Sequence, residues 1–216
     1  GAAIATSISV VIGGLIAVGY LLLYARFLRL YPIKWSRKSM RLFIRNIGYQ
    51  CRIGSSALLA EATLATLMFM GNHLFMHYLG EHGVGAFGIA CYYTPFVFMV
   101  GNAIAQSAQP IISYNFGAGC RQRVQKTIRI ALLTAVLCGA AVTSLFVCIP
   151  HLLVGLFISP NDPTFAIATS GFPYYAAGFI FFILNLTTIG YYQSLERVGP
   201  ATLLALLRGF FFLIPA

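Results

Sequence analysis

Long apolar runs, separated by short polar or basic stretches, divide this chain into six segments. They cover about residues 2–24, 53–79, 84–112, 127–157, 164–192 and 200–216, the last one cut off at Ala216. A helix needs roughly 20 apolar residues to cross a hydrocarbon core of about 30 Å. The pattern therefore predicts an all-α fold, a polytopic transmembrane helical bundle of about six spans. Residues 31–50 are too charged to cross, yet Met40, Phe43, Ile44 and Ile47 recur at helical spacing. Arg37, Lys38, Arg41 and Arg45 lie mostly elsewhere on that wheel, and Trp35 stands just upstream. That arrangement predicts a helix lying in the membrane interface. It reads as a plain linker, with lipid sensing as the functional alternative.

Polar residues inside the spans fall into stripes. Asn102, Gln106 and Gln109 lie 3 to 4 residues apart, so they share one face of the 84–112 helix. Tyr92, Pro95 and Met99 continue that stripe upstream. In the 164–192 segment, Tyr174, Gly178, Phe181, Asn185, Thr188 and Tyr192 alternate at spacings of 4 and 3. The two stripes predict a common cavity, with interhelical hydrogen bonding as the bland alternative. Its candidate lining residues are Tyr92, Met99, Asn102, Gln106, Gln109, Tyr174, Phe181, Asn185 and Thr188.

Glu61 is the one acid inside a span. It lies nine residues beyond Arg52, about 14 Å along a helix at about 1.5 Å per residue. An ionised carboxylate at such depth costs on the order of 2.5–3.5 kcal/mol. Burial favours the neutral acid until a cation or an opened pathway arrives. A carboxyl that alternates between a proton and another cation is what an antiporter requires. The structural alternative is a buried acid hydrogen-bonded to a neighbouring amide.

Composition and charge narrow the class. The 216 residues are 59% hydrophobic and only 8% charged, unlike a soluble domain of this size. The net charge of +10 is concentrated in two clusters, Arg26 to Arg52 and Arg121 to Arg129. The intervening loops at 80–83 and 159–163 carry Glu81 and Asp162 and no Lys or Arg. Basic and non-basic loops alternate as the positive-inside rule requires. The basic loops 26–52 and 113–129 are thus expected on the cytoplasmic side of a cell membrane. Nucleic-acid binding would need a continuous basic face with reachable aromatics, which is missing. The five cysteines show no metal-type spacing and read as small apolar residues. His73 and His77 are four apart, with His82 beyond them, but no acid lies between; no metal site is expected. There is no nucleotide-binding motif and no cofactor signal. Both ends fall inside apolar runs, so the sequence reads as a piece of a longer protein.

The stretch Ala108 to Gly119, AQPIISYNFGAG, is followed by basic residues and another long apolar run. It resembles the multidrug and toxic compound extrusion (MATE) transporters, where this text marks an early even-numbered span of each six-helix lobe. The opening GAAIAT also resembles the last span of a first lobe. The resemblance implies that residues 1–25 end the N-terminal lobe, 26–52 form the lobe linker and 53–216 form most of the C-terminal lobe. It implies a secondary antiporter that exports organic cations or amphipathic compounds in exchange for H⁺ or Na⁺. The missing N-terminal lobe and the bilayer are then its partners, and the isolated piece should not transport. Glu61 matches the position of the cation-site acid in the NorM-type branch. The second acid of that branch has no counterpart, since Phe181 and Phe182 stand there. Lipid-linked oligosaccharide flippases of the same superfamily are the alternative, although they line their cavities with basic residues. A membrane enzyme built on His73, His77 and Glu81 lacks enough ligands and a general base.

Overall fold

The computed structural model describes residues 2–24 and 36–211. It divides into two compact units, residues 1–48 and 49–216. The basic residues Arg26, Arg29 and Lys34, with Trp35, lie outside the described residues, as does the end of the last apolar run. The elements are helices throughout the described residues.

Helix α1 (Ala2–Leu23) is apolar on all sides, as a single span should be. Helix α2 (Arg37–Gly117) begins with the amphipathic stretch, where Met40, Phe43, Ile44 and Ile47 are exposed. Its 81 residues would extend about 120 Å if straight, some four hydrocarbon thicknesses. Gly80 breaks it, with φ 63° and ψ −154°, a backbone that suits glycine and interrupts the helical ladder. The helix thus has two arms (37–79 and 81–117), and next to the corner residues 71–75 of the first lie against Phe87 of the second. Phe75 stacks on Phe87 at 4.9 Å. A Cβ placed on Gly71 would sit 2.2 Å from the Phe87 ring. The expected loop at 80–83 is thus a single-residue corner inside a helical hairpin.

The second arm continues to Gly117 through Pro110, beyond the expected end near residue 112. Gly119 (φ 74°) turns the chain, and the Cys120 amide donates to the Asn115 carbonyl at 2.9 Å. Helix α3 (Arg121–Cys148) follows. The span expected at 127–157 is divided at Ile149 because Pro150 starts the short helix α4 (Pro150–Gly155).

Asp162 caps α5 (Pro163–Ala176) by accepting the Thr164 amide at 2.8 Å. Hydrogen bonds from Thr164 hold the Asp162 carboxyl below the ordinary aspartate range. His82 hydrogen-bonds the same Thr164 hydroxyl at 3.2 Å, which ties the start of the second arm to α5. Helix α6 (Phe179–Ser194) is bent by 46° from α5. The segment expected at 164–192 is therefore one broken span, interrupted shortly after Pro173. Helix α7 (Val198–Leu206) runs into a π-helical turn, Leu207–Phe211.

By length and composition, Ile4–Leu23, Arg37–Gly117 and Arg121–Cys148 can each cross a membrane, and the bent α5–α6 pair makes a fourth candidate. The corner at Gly80 splits the second of these into two arms. The last apolar helix, Val198–Gly209, is shorter. Tyr93, Phe146, Phe172 and Phe179 form the centre of the core, with Phe146 edge-on to Phe179 at 5.0 Å and to Tyr93 at 5.1 Å. Small residues let α6 approach closely. A Cβ on Gly139 would lie 3.0 Å from the Ile180 Cα, and one on Gly190 would lie 2.7 Å from the Ala105 Cβ.

Candidate functional site

Three helical stripes converge on an open cavity of about 450 Å³. The first arm of α2 supplies Ala57 and Glu61, one turn apart. The second arm supplies Phe98, Asn102, Ala105, Gln106 and Gln109, and α6 supplies Leu186, Ile189, Gly190 and Gln193. These sets follow i, i+3, i+4 and i+7 spacing, so each helix turns one continuous face to the cavity. The close passage of Gly190 over Ala105 holds the second arm against α6 along this wall. A bulkier residue there would push the two helices apart.

Glu61 is the one acid lining the cavity, and no Lys or Arg lines it among the described residues. Asn102, Gln106, Gln109 and Gln193 add four carboxamides. Each offers a carbonyl oxygen and an NH₂ group, so the set can serve a cation or a hydrogen-bonding solute. Phe98 adds an aromatic wall and leads to Phe182 at 6.3 Å between ring centroids. The guanidinium of Arg208 sits 4.8 Å from the centre of the Phe182 ring, and Glu61 acts on it electrostatically. Arg208 belongs to the π-helical turn, whose next residue, Gly209, packs tightly on Thr63, two positions from Glu61. Arg208 thus interacts with the acid without lining the cavity.

The residues expected to share one cavity are divided. Asn102, Gln106 and Gln109 line it. Tyr92 is exposed and stacks on Phe157 at 5.5 Å, and Met99 is also exposed. Tyr174 lies exposed on α5, and Phe181 is exposed on α6. Asn185 donates through Nδ2 to the Leu204 carbonyl at 3.5 Å and so addresses α7. Thr188 donates to the Leu184 carbonyl of its own helix at 2.7 Å. The wall of α6 is instead the neighbouring stripe of Leu186, Ile189, Gly190 and Gln193. Gln193 lies just past the expected segment 164–192, yet α6 extends to Ser194. Its spacing of 3 and 4 from Gly190 and Ile189 was the available signal. Elsewhere, His77 meets the Tyr78 ring edge-on, and no three His, Cys, Asp or Glu side chains converge among the described residues.

Antiparallel apolar helices broken by glycine and proline, around a polar cavity with a single acid, define a helical membrane protein of the transporter kind. A family model described as MatE matches residues 57–215. The chain belongs to that family, the MATE transporters, whose members move solutes across membranes. Comparison with curated proteins and with solved structures finds no significant match.

Proposed function

We propose that this chain works as a secondary antiporter, exporting organic cations or other amphipathic compounds in exchange for H⁺ or Na⁺. The carrying observation is Glu61 in a 450 Å³ cavity with four carboxamides and Phe98. A carboxylate among amide oxygens suits a small hard cation, and the adjoining aromatic wall suits an organic one. Occupancy of Glu61 by the coupling ion would bias alternating access between this lobe and a second one. The basic loops at 26–52 and 113–129 would face the cytoplasm of a cell membrane, and no enzymatic step is assigned. A flippase for lipid-linked oligosaccharides would need cations lining the cavity to hold pyrophosphate. The described lining offers an acid instead, which favours the antiporter.

The test is efflux of a fluorescent lipophilic cation from everted vesicles bearing the natural full-length protein. Imposed pH and Na⁺ gradients are compared for the wild type and Glu61→Gln. Gradient-driven transport that disappears in Glu61→Gln, at equal expression, is the expected result. Undiminished transport by that variant would move coupling elsewhere. Absence of cation transport by the wild type would put the flippase reading forward.

A further inference from the structure

A second concavity lies on the other side of the second arm. It measures about 410 Å³ and runs between that arm and α3, lined by Ala103, Ser107 and Ile111 on one wall and Thr127, Ile130 and Thr134 on the other. Its threonines are turned to their own helix. Thr127 donates to the Arg123 carbonyl and Thr134 to the Ile130 carbonyl, both at 2.9 Å. What they leave to the groove is mostly methyl surface. From Thr127 to Thr134 the groove extends about 10 Å along α3, which fits within one leaflet of about 15 Å.

The charged end of the groove is equally defined. Arg123 stands one turn before Thr127 on the same stripe, and Lys126 stands one turn before Ile130. Both are exposed, as are Arg121 and Arg129. No ion pair to any of these four is found among the described residues. The acid that α6 and α7 bring to this end of the bundle, Glu196, accepts the Tyr49 hydroxyl. An apolar slot shorter than one leaflet thus opens at a cluster of cations without a matching acid among the described residues. A neutral lipid would leave those charges uncompensated, and a soluble anion would leave the slot unfilled.

We propose that the groove between the second arm of α2 and α3 binds one anionic phospholipid of the cytoplasmic leaflet. Its phosphate rests at Arg123 and Lys126, and an acyl chain lies along Ser107, Ile111, Ile130 and Thr134. Basic residues at the rim of an interhelical crevice recognise anionic headgroups by charge, and the crevice supplies the apolar remainder. The site is separate from the cavity at Glu61, because the second arm shows its Asn102 face to one and its Ala103 face to the other.

The experiment is native mass spectrometry of the purified full-length protein, delipidated and titrated with phosphatidylglycerol or phosphatidylcholine. One phosphatidylglycerol adduct should persist at activation energies that strip phosphatidylcholine. Arg123→Gln with Lys126→Gln should weaken it, by about fivefold for each residue. Arg129→Gln removes the same charge at a position about 200° around the helix from Thr127, turned away from the groove, and should leave it in place. Ala103→Phe fills the groove and should reduce retention with all cations intact. Melting curves in detergent confirm that each variant is folded. Equal retention of the two lipids, or equal loss with Arg129→Gln, would overturn the assignment. So would a cross-link from Ser107→Cys to another segment of the protein, because that segment would then occupy the groove.

Discussion

The second arm of α2 borders two concavities of similar size and opposite character. On one side, Asn102, Gln106 and Gln109 meet Glu61 and Gln193 in the 450 Å³ cavity. On the other, Ala103, Ser107 and Ile111 meet the threonine methyls and isoleucine of α3 in the 410 Å³ groove. Successive residues along the arm alternate between them: 102 and 103, then 106 and 107. A rotation of about 100° per residue is enough to separate a polar lining from an apolar one on a single helix. Volume alone would not distinguish the two. The acid, and the carboxamides around it, mark which concavity is equipped to handle a cation within the bilayer.

The largest expected effect falls on the acid. Glu61→Gln keeps the shape and removes the charge, so gradient-driven efflux should fall to background. Glu81→Gln, an equal change of charge at an exposed position beside the Gly80 corner, should transport as the wild type does. Measuring both in the same vesicles separates a site effect from a general loss of negative charge. Equal loss in the two variants would remove the distinction between the cavity and the rest of the surface.

Next is the contact that holds the cavity together. A side chain on Gly190 would have to displace Ala105, whose Cβ lies 2.7 Å from the position the new Cβ would take. Gly190→Leu should destabilise the bundle by about 1–3 kcal/mol, or more where the backbones cannot separate. A lowered melting temperature in detergent would check this. Gly88→Leu, where an added Cβ meets nothing within 4 Å, is the matched control and should melt close to the wild type. The contrast tests whether the cavity depends on close helix approach.

The face of the second arm was legible from Asn102 to Gln109, where one helical phase is kept, but the upstream stripe through Tyr92 and Met99 missed the cavity, which Phe98 lines instead. The same reasoning failed to bring Tyr174, Phe181, Asn185 and Thr188 together, for two physical reasons. The wheel was drawn through a 46° bend, so Tyr174 on α5 and the later residues on α6 do not share a phase. Polarity also misleads where a side chain is satisfied locally: Thr188 bonds its own helix and Asn185 bonds the Leu204 carbonyl. Gln193 was missed because a polar residue near a helix end reads as loop. The broad pattern of apolar spans was legible from length and hydrophobicity. A loop was expected over residues 80–83, where glycines and polar residues interrupt the run, and the structure narrows that break to Gly80 alone. The break at Ile149 comes from Pro150, a residue that interrupts the segment expected to run unbroken over 127–157. Arg208 had no readable role until the π-helical turn set it over Phe182, with Thr63 and Glu61 close behind.

The smallest and sharpest test compares neighbours. Gln106→Leu removes one carboxamide from the cavity, and Ser107→Leu adds a similar apolar side chain one residue later, in the groove. A single hydrogen bond is worth about 1 kcal/mol, or roughly fivefold in apparent KM. Gln106→Leu should therefore weaken cation efflux by about that factor without changing lipid retention. Ser107→Leu should leave efflux near the wild-type value, since it faces away from Glu61. It should instead shift phosphatidylglycerol retention, because it narrows the slot that the acyl chain would follow. The two substitutions are adjacent in sequence and similar in chemistry, so membrane insertion and overall hydrophobicity change almost equally. Only the angular position around the helix separates them. Should both variants lose efflux to the same extent, the two concavities would be coupled through the arm they share. A lipid in the groove would then be part of the transport cycle.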